Sequence, residues 1–213
     1  MSLPQKPQRL HWILLVVVAL VFVWSAIRPL ERFTWFMEVF PVILGVMILG
    51  AVFPRFRFTP LLYVLMAIHM VILMVGGRYT YAEVPLGNWI RDAFDMSRNH
   101  YDRLGHFAQG FVPALIAREV LLRRSPLQRG KWLFFIIVSI CLAFSAFYEL
   151  IEWTAAVSAG SAADAFLGTQ GDVWDTQKDM ALALIGAITA LLTLSRFHDR
   201  QLGRLEEHPV AGF

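Results

Sequence analysis

Six stretches in which apolar residues run almost without interruption alternate with short polar strings along the 213-residue chain. They cover about residues 10–27, 36–53, 59–76, 101–122, 131–155 and 173–195. A helix needs ~20 mainly apolar residues to cross a bilayer, so the pattern predicts an all-α, polytopic membrane bundle of six transmembrane helices. Pro60 opens the third stretch, where its missing N–H is harmless. Pro113 falls inside the fourth and should kink it, a distortion that neighbouring helices absorb. In the connection from Arg78 to His100, Trp89, Ile90, Ala93, Phe94 and Tyr101 recur near helical spacing, opposite Arg91, Asp92, Asp95 and Arg98. That pattern predicts an amphipathic interfacial helix around 88–100, either a surface connector or a lid.

Composition strengthens the membrane assignment. The chain is 57% hydrophobic and 16% charged, where a soluble domain carries about 25% charged residues; its mean hydropathy is +0.56. No linker, repeat or low-complexity segment divides it, so residues 1–213 read as one integral membrane domain. Lys6 and Arg9 precede the first apolar stretch as in a signal peptide. Trp24, however, occupies a position where a small residue should precede a cut after Ala26, so the segment reads as an uncleaved anchor. The single cysteine, Cys141, excludes an intramolecular disulfide and a cysteine-based zinc site.

Charge sets the expected orientation. The formal net charge of +3 does not indicate a nucleic-acid partner, because the basic residues bracket apolar segments. In a six-helix arrangement Lys6, Arg9, Arg55, Arg57, Arg123, Arg124, Arg129, Lys131, Arg196, Arg200 and Arg204 share one side. The other side carries Arg28, Arg32, Arg78, Arg91 and Arg98, diluted by Glu31, Glu38, Glu83, Asp92, Asp95, Asp164 and Asp172. The positive-inside rule then places both termini in the cytoplasm.

Four polar strings break the apolar pattern: DRLGH at 102–106, YELIEW at 148–153, GTQGD at 168–172 and WDTQKD at 174–179. Ionisable groups at membrane depth cost at least ~2.5 kcal/mol each, and they mark function more often than packing. With the predicted topology, Asp102 and His106 lie at the outer end of the fourth helix. Glu149 lies ~27 Å along the fifth at 1.5 Å per residue, and Asp172, Asp175 and Asp179 lie in the outer turns of the sixth. Asp102/His106 and Asp175/Asp179 are four apart and Glu149/Glu152 three apart, so each pair shares a helix face. The expectation is one acidic pocket near the outer face.

Structural roles stand beside each functional one. Asp102 and Asp172 are also suited to helix capping, and His106 with Glu149 to an interhelical hydrogen bond. Glu152 sits close enough to the boundary for solvation, and Lys178 is placed to neutralise Asp175 or Asp179. His69, alone in the third helix, reads as a satisfied buried histidine. Ala183, Gly186, Ala187 and Ala190 suit close helix packing.

RNHYDRLGHFAQGFVPA, SAFYELIEW and FLGTQGDVWDTQKDM resemble the signature strings of the YjdF-like family of uncharacterised bacterial inner-membrane proteins, over about residues 79–187. The motif order more distantly resembles the VanZ-like superfamily, whose pattern reads Asp-Lys-x-x-His, Glu-x-x-Gln, Asp-x-x-x-Asn. Asp102, His106, Glu149 and Asp175 match; Arg103, Glu152 and Asp179 replace the lysine, glutamine and asparagine. The resemblance implies an envelope role and supplies no reaction.

The residues themselves suggest three kinds of function. One is a metal-assisted enzyme, with a divalent ion held by His106, Glu149, Glu152, Asp175 and Asp179, a donor set suited to magnesium, manganese, iron or zinc. His106, Glu149 and Asp175 are then the candidate catalytic groups, Asp102, Asp172 and Lys178 complete the pocket, and the partner is a lipid or lipid-linked envelope molecule. The second is a proton- or cation-coupled transporter using the same groups. The third is a non-enzymatic binding protein of the envelope.

Overall fold

The computed structural model describes residues 8–159 and 169–207; Lys6, Asp164 and Gly168 fall outside them. Seven helices form, with no strand among the described residues: α1 (Arg9–Ala26), α2 (Arg32–Val52), α3 (Pro60–Arg78), α4 (Pro85–Ala93), α5 (Tyr101–Arg124), α6 (Lys131–Ala159) and α7 (Asp175–Glu207). Helix starts follow local chemistry. Gln8 and His11 form a reciprocal capping box on α1, Glu31 caps α2 by accepting from the Phe33 and Thr34 amides, and proline opens α3 and α4.

Five helices, α1, α2, α3, α6 and α7, are long and apolar enough to cross a membrane. The 24-residue α5 has the length but carries Asp102, Arg103, Arg118, Glu119, Arg123 and Arg124, which removes it from that class by composition. The amphipathic helix is shorter than its periodicity suggests. It ends at Ala93, and Asp95 sits in the left-handed region at φ 52°, so 94–100 is a bent connection. Leu86, Trp89 and Phe94 stay exposed along it.

Helix α7 departs most from the hydropathy pattern, running twelve residues beyond Ser195 as a polar helix. Tertiary contacts hold that extension. His198 meets Glu119 at 2.9 Å, Asp199 accepts from Arg118 at 2.8 Å and Arg129 at 2.9 Å, and the Gln201 side chain accepts from the Leu61 amide. Arg118 can only donate, so His198 Nδ1 accepts from it at 3.1 Å and the ring proton sits on Nε2, donating to Glu119. Glu119, fully buried, also accepts from the Thr59 amide and hydroxyl and from Arg123. One carboxylate thus joins the start of α3 and the ends of α5 and α7. With Arg9, Arg55, Arg57, Arg123, Arg124 and Arg129 around it, this is the basic end of the bundle.

The most extensive contact in the molecule is α5 against α7. A Cβ on Gly110 would lie 1.8 Å from the Ala183 carbonyl oxygen, and one on Gly186 would lie 2.1 Å from that of Phe107. Ala183, Ala187 and Ala190 are completely buried along the same seam. The two backbones are therefore as close as a pair of helices allows, the small-residue packing expected in lipid. Helix α6 lies on α5 and α7, and α3 joins this core to α1 and α2.

Replacing Gly186 or Gly110 with valine must separate α5 from α7. Overpacking of this kind costs roughly 1–3 kcal/mol. Cys141 is fully buried, so its labelling by a thiol-reactive dye on heating reports unfolding. Both variants are expected to label at clearly lower temperature than the parent, whereas Gly203→Ala, at an open position, should not.

Candidate functional site

At the opposite end, the first turns of α5 and α7 meet α6 and the 169–172 turn. Asn99 and Gln170 dock that turn reciprocally: the Asn99 amide donates to Gln170 Oε1 and Gln170 Nε2 to the Asn99 carbonyl, both at 3.0 Å. Gln170 and Gly171 take positive φ, 48° and 82°, which turns the chain sharply into α7. Asp172 then accepts from the Trp174 amide at 3.1 Å, an Asx-type turn just ahead of the helix.

Two arginines organise the acids. Arg98 contacts Asp175 at 2.7 Å, Asp172 at 3.5 Å and Asp102 at 3.6 Å. Arg103 contacts Asp179 at 2.5 Å, Asp175 at 2.7 Å and Asp172 at 3.0 Å. Arg98 is buried and Arg103 half-buried, and both share the buried Asp175. The fork geometry of arginine suits such multiple carboxylate contacts. Lys178 reaches Asp172 at 2.6 Å from an exposed position. That hydrogen bond, with the Trp174 amide and Arg103, lowers the Asp172 pKa below its ordinary range.

His106 stands next to this network. Its Nε2 faces Asp102 Oδ1 at 3.4 Å and Asp179 Oδ2 at 3.9 Å; its Nδ1 meets Gln109 Oε1 at 3.1 Å, with Glu149 Oε1 farther off at 3.9 Å. A partly open cavity of about 130 Å³ adjoins it, lined in part by Glu38, His69, Tyr81, Gln109, Tyr148 and Glu152. Glu38, 4% exposed, accepts from Tyr81 Oη at 3.0 Å and Tyr148 Oη at 3.3 Å. Tyr81 reaches it because Thr80 and Tyr81 adopt positive φ, 56° and 55°, folding the ring over Gly76, where a Cβ would lie 2.3 Å away. The Asp102 Oδ2 and Glu149 Oε1 atoms are buried without a hydrogen-bond partner among the described residues.

A family model described as "Predicted membrane protein (DUF2238)" matches residues 10–200. The chain belongs to that family. It is 51% identical over 189 residues to a protein named Inner membrane protein YjdF from Escherichia coli (strain K12), covering 89% of this chain and 90% of that one. No solved structure matches it. With its five long apolar helices, this DUF2238 member is a multi-pass protein of the inner membrane.

The structure brings the sequence-selected residues to one end of the bundle. Asp102, His106, Glu149, Asp175 and Asp179 are each no more than 8% exposed. Glu152 is half-buried at the cavity, and Asp172 and Lys178 form the rim. Several local expectations change. Asp102 does not cap α5; His100 occupies that position without a side-chain bond, and Asp102 turns to Arg98 and His106. Lys178 pairs with Asp172 rather than Asp175 or Asp179, because the turn carries Asp172 back over the helix. His106 and Glu149 stay beyond hydrogen-bond distance, since Gln109 takes Nδ1. His69 Nε2 finds no partner among the described residues, so the histidine expected to be satisfied is not.

Three participants were not among the residues selected from the sequence. Arg98 reads as a loop charge, although it lies four residues before Asp102, and Arg103 figures only as the residue in place of lysine in the VanZ-like pattern. Glu38 was counted with the outer loop charges, yet lay two residues inside a predicted span, which was the available signal.

Arg103→Ala leaves Asp175 and Asp179 buried with one counter-charge fewer, a change expected to lower stability by ~3–5 kcal/mol. Arg103→Lys should recover only part, since one ammonium cannot bridge three carboxylates. Cys141 labelling on heating should rank parent, lysine and alanine variants in that order. At the rim, the lowered Asp172 pKa stabilises the turn above the ordinary aspartate range, and that contribution disappears as pH falls through the lowered value. Asp172→Asn should abolish this acid-induced loosening, read as hydrogen exchange at 169–175.

Proposed function

We propose that the chain crosses the membrane six times with both termini in the cytoplasm, and that its acidic end binds a divalent cation and acts on a lipid or lipid-linked envelope molecule. The distribution of charge supports the orientation, since arginines concentrate at the basic end. Helix α5 extends seventeen residues from Asp102 to Glu119, ~25 Å at 1.5 Å per residue, with its charged groups confined to the two ends and paired there.

One observation carries the cation reading. His106 shares two clusters of donors, with Asp102 and Asp179 and with Glu149 and Glu152; within each, one donor atom per residue lies within 4.8 Å of the others. Ligands at ~2.0–2.3 Å from an ion stand up to ~4.6 Å apart, so a small contraction suffices. The first cluster fits better. Gln109 accepts from His106 Nδ1–H and leaves Nε2 turned toward Asp102 and Asp179, the outer contact that fixes a metal-ligating imidazole.

A divalent cation held there supplies Lewis acidity toward a phosphoryl or acyl oxygen. Glu149 and Glu152, on the Nδ1 side and at the cavity, are placed to accept and return protons. Asp175 holds Arg98 and Arg103 in place, and the Tyr81 and Tyr148 hydroxyls orient Glu38. The motif order shared with the VanZ-like pattern adds weight to an envelope substrate. Transport is the weaker reading, because Val112, Leu115, Ala187 and Leu191 form an apolar, closely packed interior between the acidic and basic ends.

Metal analysis of gently purified protein is expected to find about one divalent ion per chain. Occupancy should fall at least tenfold in His106→Ala and Asp179→Asn but persist in Glu149→Gln. Affinity should decline as pH is lowered, since ligating histidine and carboxylates must be deprotonated. A parent protein that takes up neither magnesium, manganese, iron nor zinc on reconstitution refutes the assignment.

A further inference from the structure

The three N-terminal helices enclose a second cavity, about 340 Å³ in volume and far from the acidic site. Both α1 and α2 lean on α3, and the space between them is lined by apolar side chains for most of its length. Trp12 and Gly50 stand at its open side, both exposed. At one end it becomes aromatic and polar: the His11 ring packs edge-on against Tyr63 at 4.5 Å and Phe53 at 5.1 Å. Beyond that end stand cations. The Arg57 guanidinium lies 4.8 Å from the Phe53 ring centroid, and Arg9 and Arg55 are exposed on either side. Arg123 and Arg124 donate to the Arg57 and Arg55 carbonyls, fixing the loop that presents these side chains. Neither 8–12 nor 53–59 contains an acid.

From this juxtaposition we infer that the α1–α2–α3 groove is a binding site for an anionic phospholipid. One acyl chain lies among the apolar side chains and the headgroup phosphate meets Arg9, Arg55 and Arg57. The groove opens on the faces of α1 and α2, whose most apolar stretches are only 11% and 17% buried within the protein, so hydrocarbon is the medium that reaches it. An amphiphile with an apolar tail and an anionic head matches both halves of the site. The site is also within the usual size range of small-molecule cavities, ~300–1,000 Å³. It stands independently of the cation reading, because it shares no residue with the acidic end.

The test uses the full-length protein, stripped of lipid in detergent. Phosphatidylglycerol or phosphatidylethanolamine with identical acyl chains is added back, and bound lipid is counted by native mass spectrometry. Phosphatidylglycerol should bind the parent protein more tightly than phosphatidylethanolamine. Arg55→Gln/Arg57→Gln should weaken phosphatidylglycerol binding by roughly fivefold for each arginine, toward the phosphatidylethanolamine level. Gly50→Leu should displace both lipids, because a Cβ there meets nothing within 4 Å and the added side chain enters the groove. Unchanged protection of Cys141 confirms that each variant is folded. Equal binding of the two lipids by the parent, or undiminished phosphatidylglycerol binding in the double glutamine variant, overturns the proposal. Should Gly50→Leu fail to fold, the charge comparison alone decides.

Discussion

Contact between the backbones of α5 and α7 governs the rest of the molecule. With Gly110 against the Ala183 carbonyl and Gly186 against that of Phe107, no side chain separates the two helices along their middle. The charged residues at their ends are brought within reach of one another as a consequence. Arg103 can span Asp172, Asp175 and Asp179 because α7 begins one backbone width away. At the far end the same proximity puts His198 and Asp199 on Glu119 and Arg118. A helix as charged as α5 cannot face lipid at its ends without partners, and α7 supplies most of them.

The two ends use this proximity differently. At the basic end Glu119 accepts from four donors, and Arg118 is held between His198 and Asp199. At the acidic end Glu38, Asp102, Glu149, Glu152, Asp172, Asp175 and Asp179 gather around Arg98, Arg103, His106 and Lys178. Arg98, Arg103 and Lys178 are concentrated on Asp172, Asp175 and one oxygen of Asp179. Among the described residues the acids on the His106 side have few donors, and two of their oxygens have no hydrogen bond. A saturated network ties helices together, whereas an unsaturated one of a single sign attracts protons or a cation. The structural and functional roles of buried charge are thus separated by the length of one helix.

Much of this was legible in the sequence, for identifiable reasons. Depth follows from counting residues along alternating helices, so the convergence of Asp102, His106, Glu149, Asp175 and Asp179 could be read from topology and i,i+4 spacing. Small residues at Ala183, Gly186, Ala187 and Ala190 marked the seam correctly. Partner choice was not legible, because it depends on rotation and on turns. Lys178 goes to Asp172 only because the 170–172 turn doubles back, and Asp102 goes to Arg98 because 94–100 is bent rather than helical. Hydropathy also hid Arg118, Glu119 and His198. They lie where apolar character fades, which read as the edge of the membrane but is the edge of a buried network. The tail of α7 was missed for the same reason, since tertiary pairing, not apolar periodicity, keeps it helical.

An excess of buried acid is difficult to explain by packing alone. Replacing buried ion pairs with apolar residues is often neutral or stabilising, so helix association by itself gives no reason to keep carboxylates beyond those the arginines bind. The seam between α5 and α7 already supplies the association, with glycine and alanine and no polar group. What the surplus acids add is a field of one sign around His106, beside a partly open cavity of about 130 Å³ and beneath a turn held by Asn99 and Gln170. Desolvation makes that field strong, and the neighbouring arginine network keeps the carboxylates from moving apart. The site proposed here is organised before an ion binds, and this preorganisation, rather than the number of acids, is the argument for the proposed binding at His106.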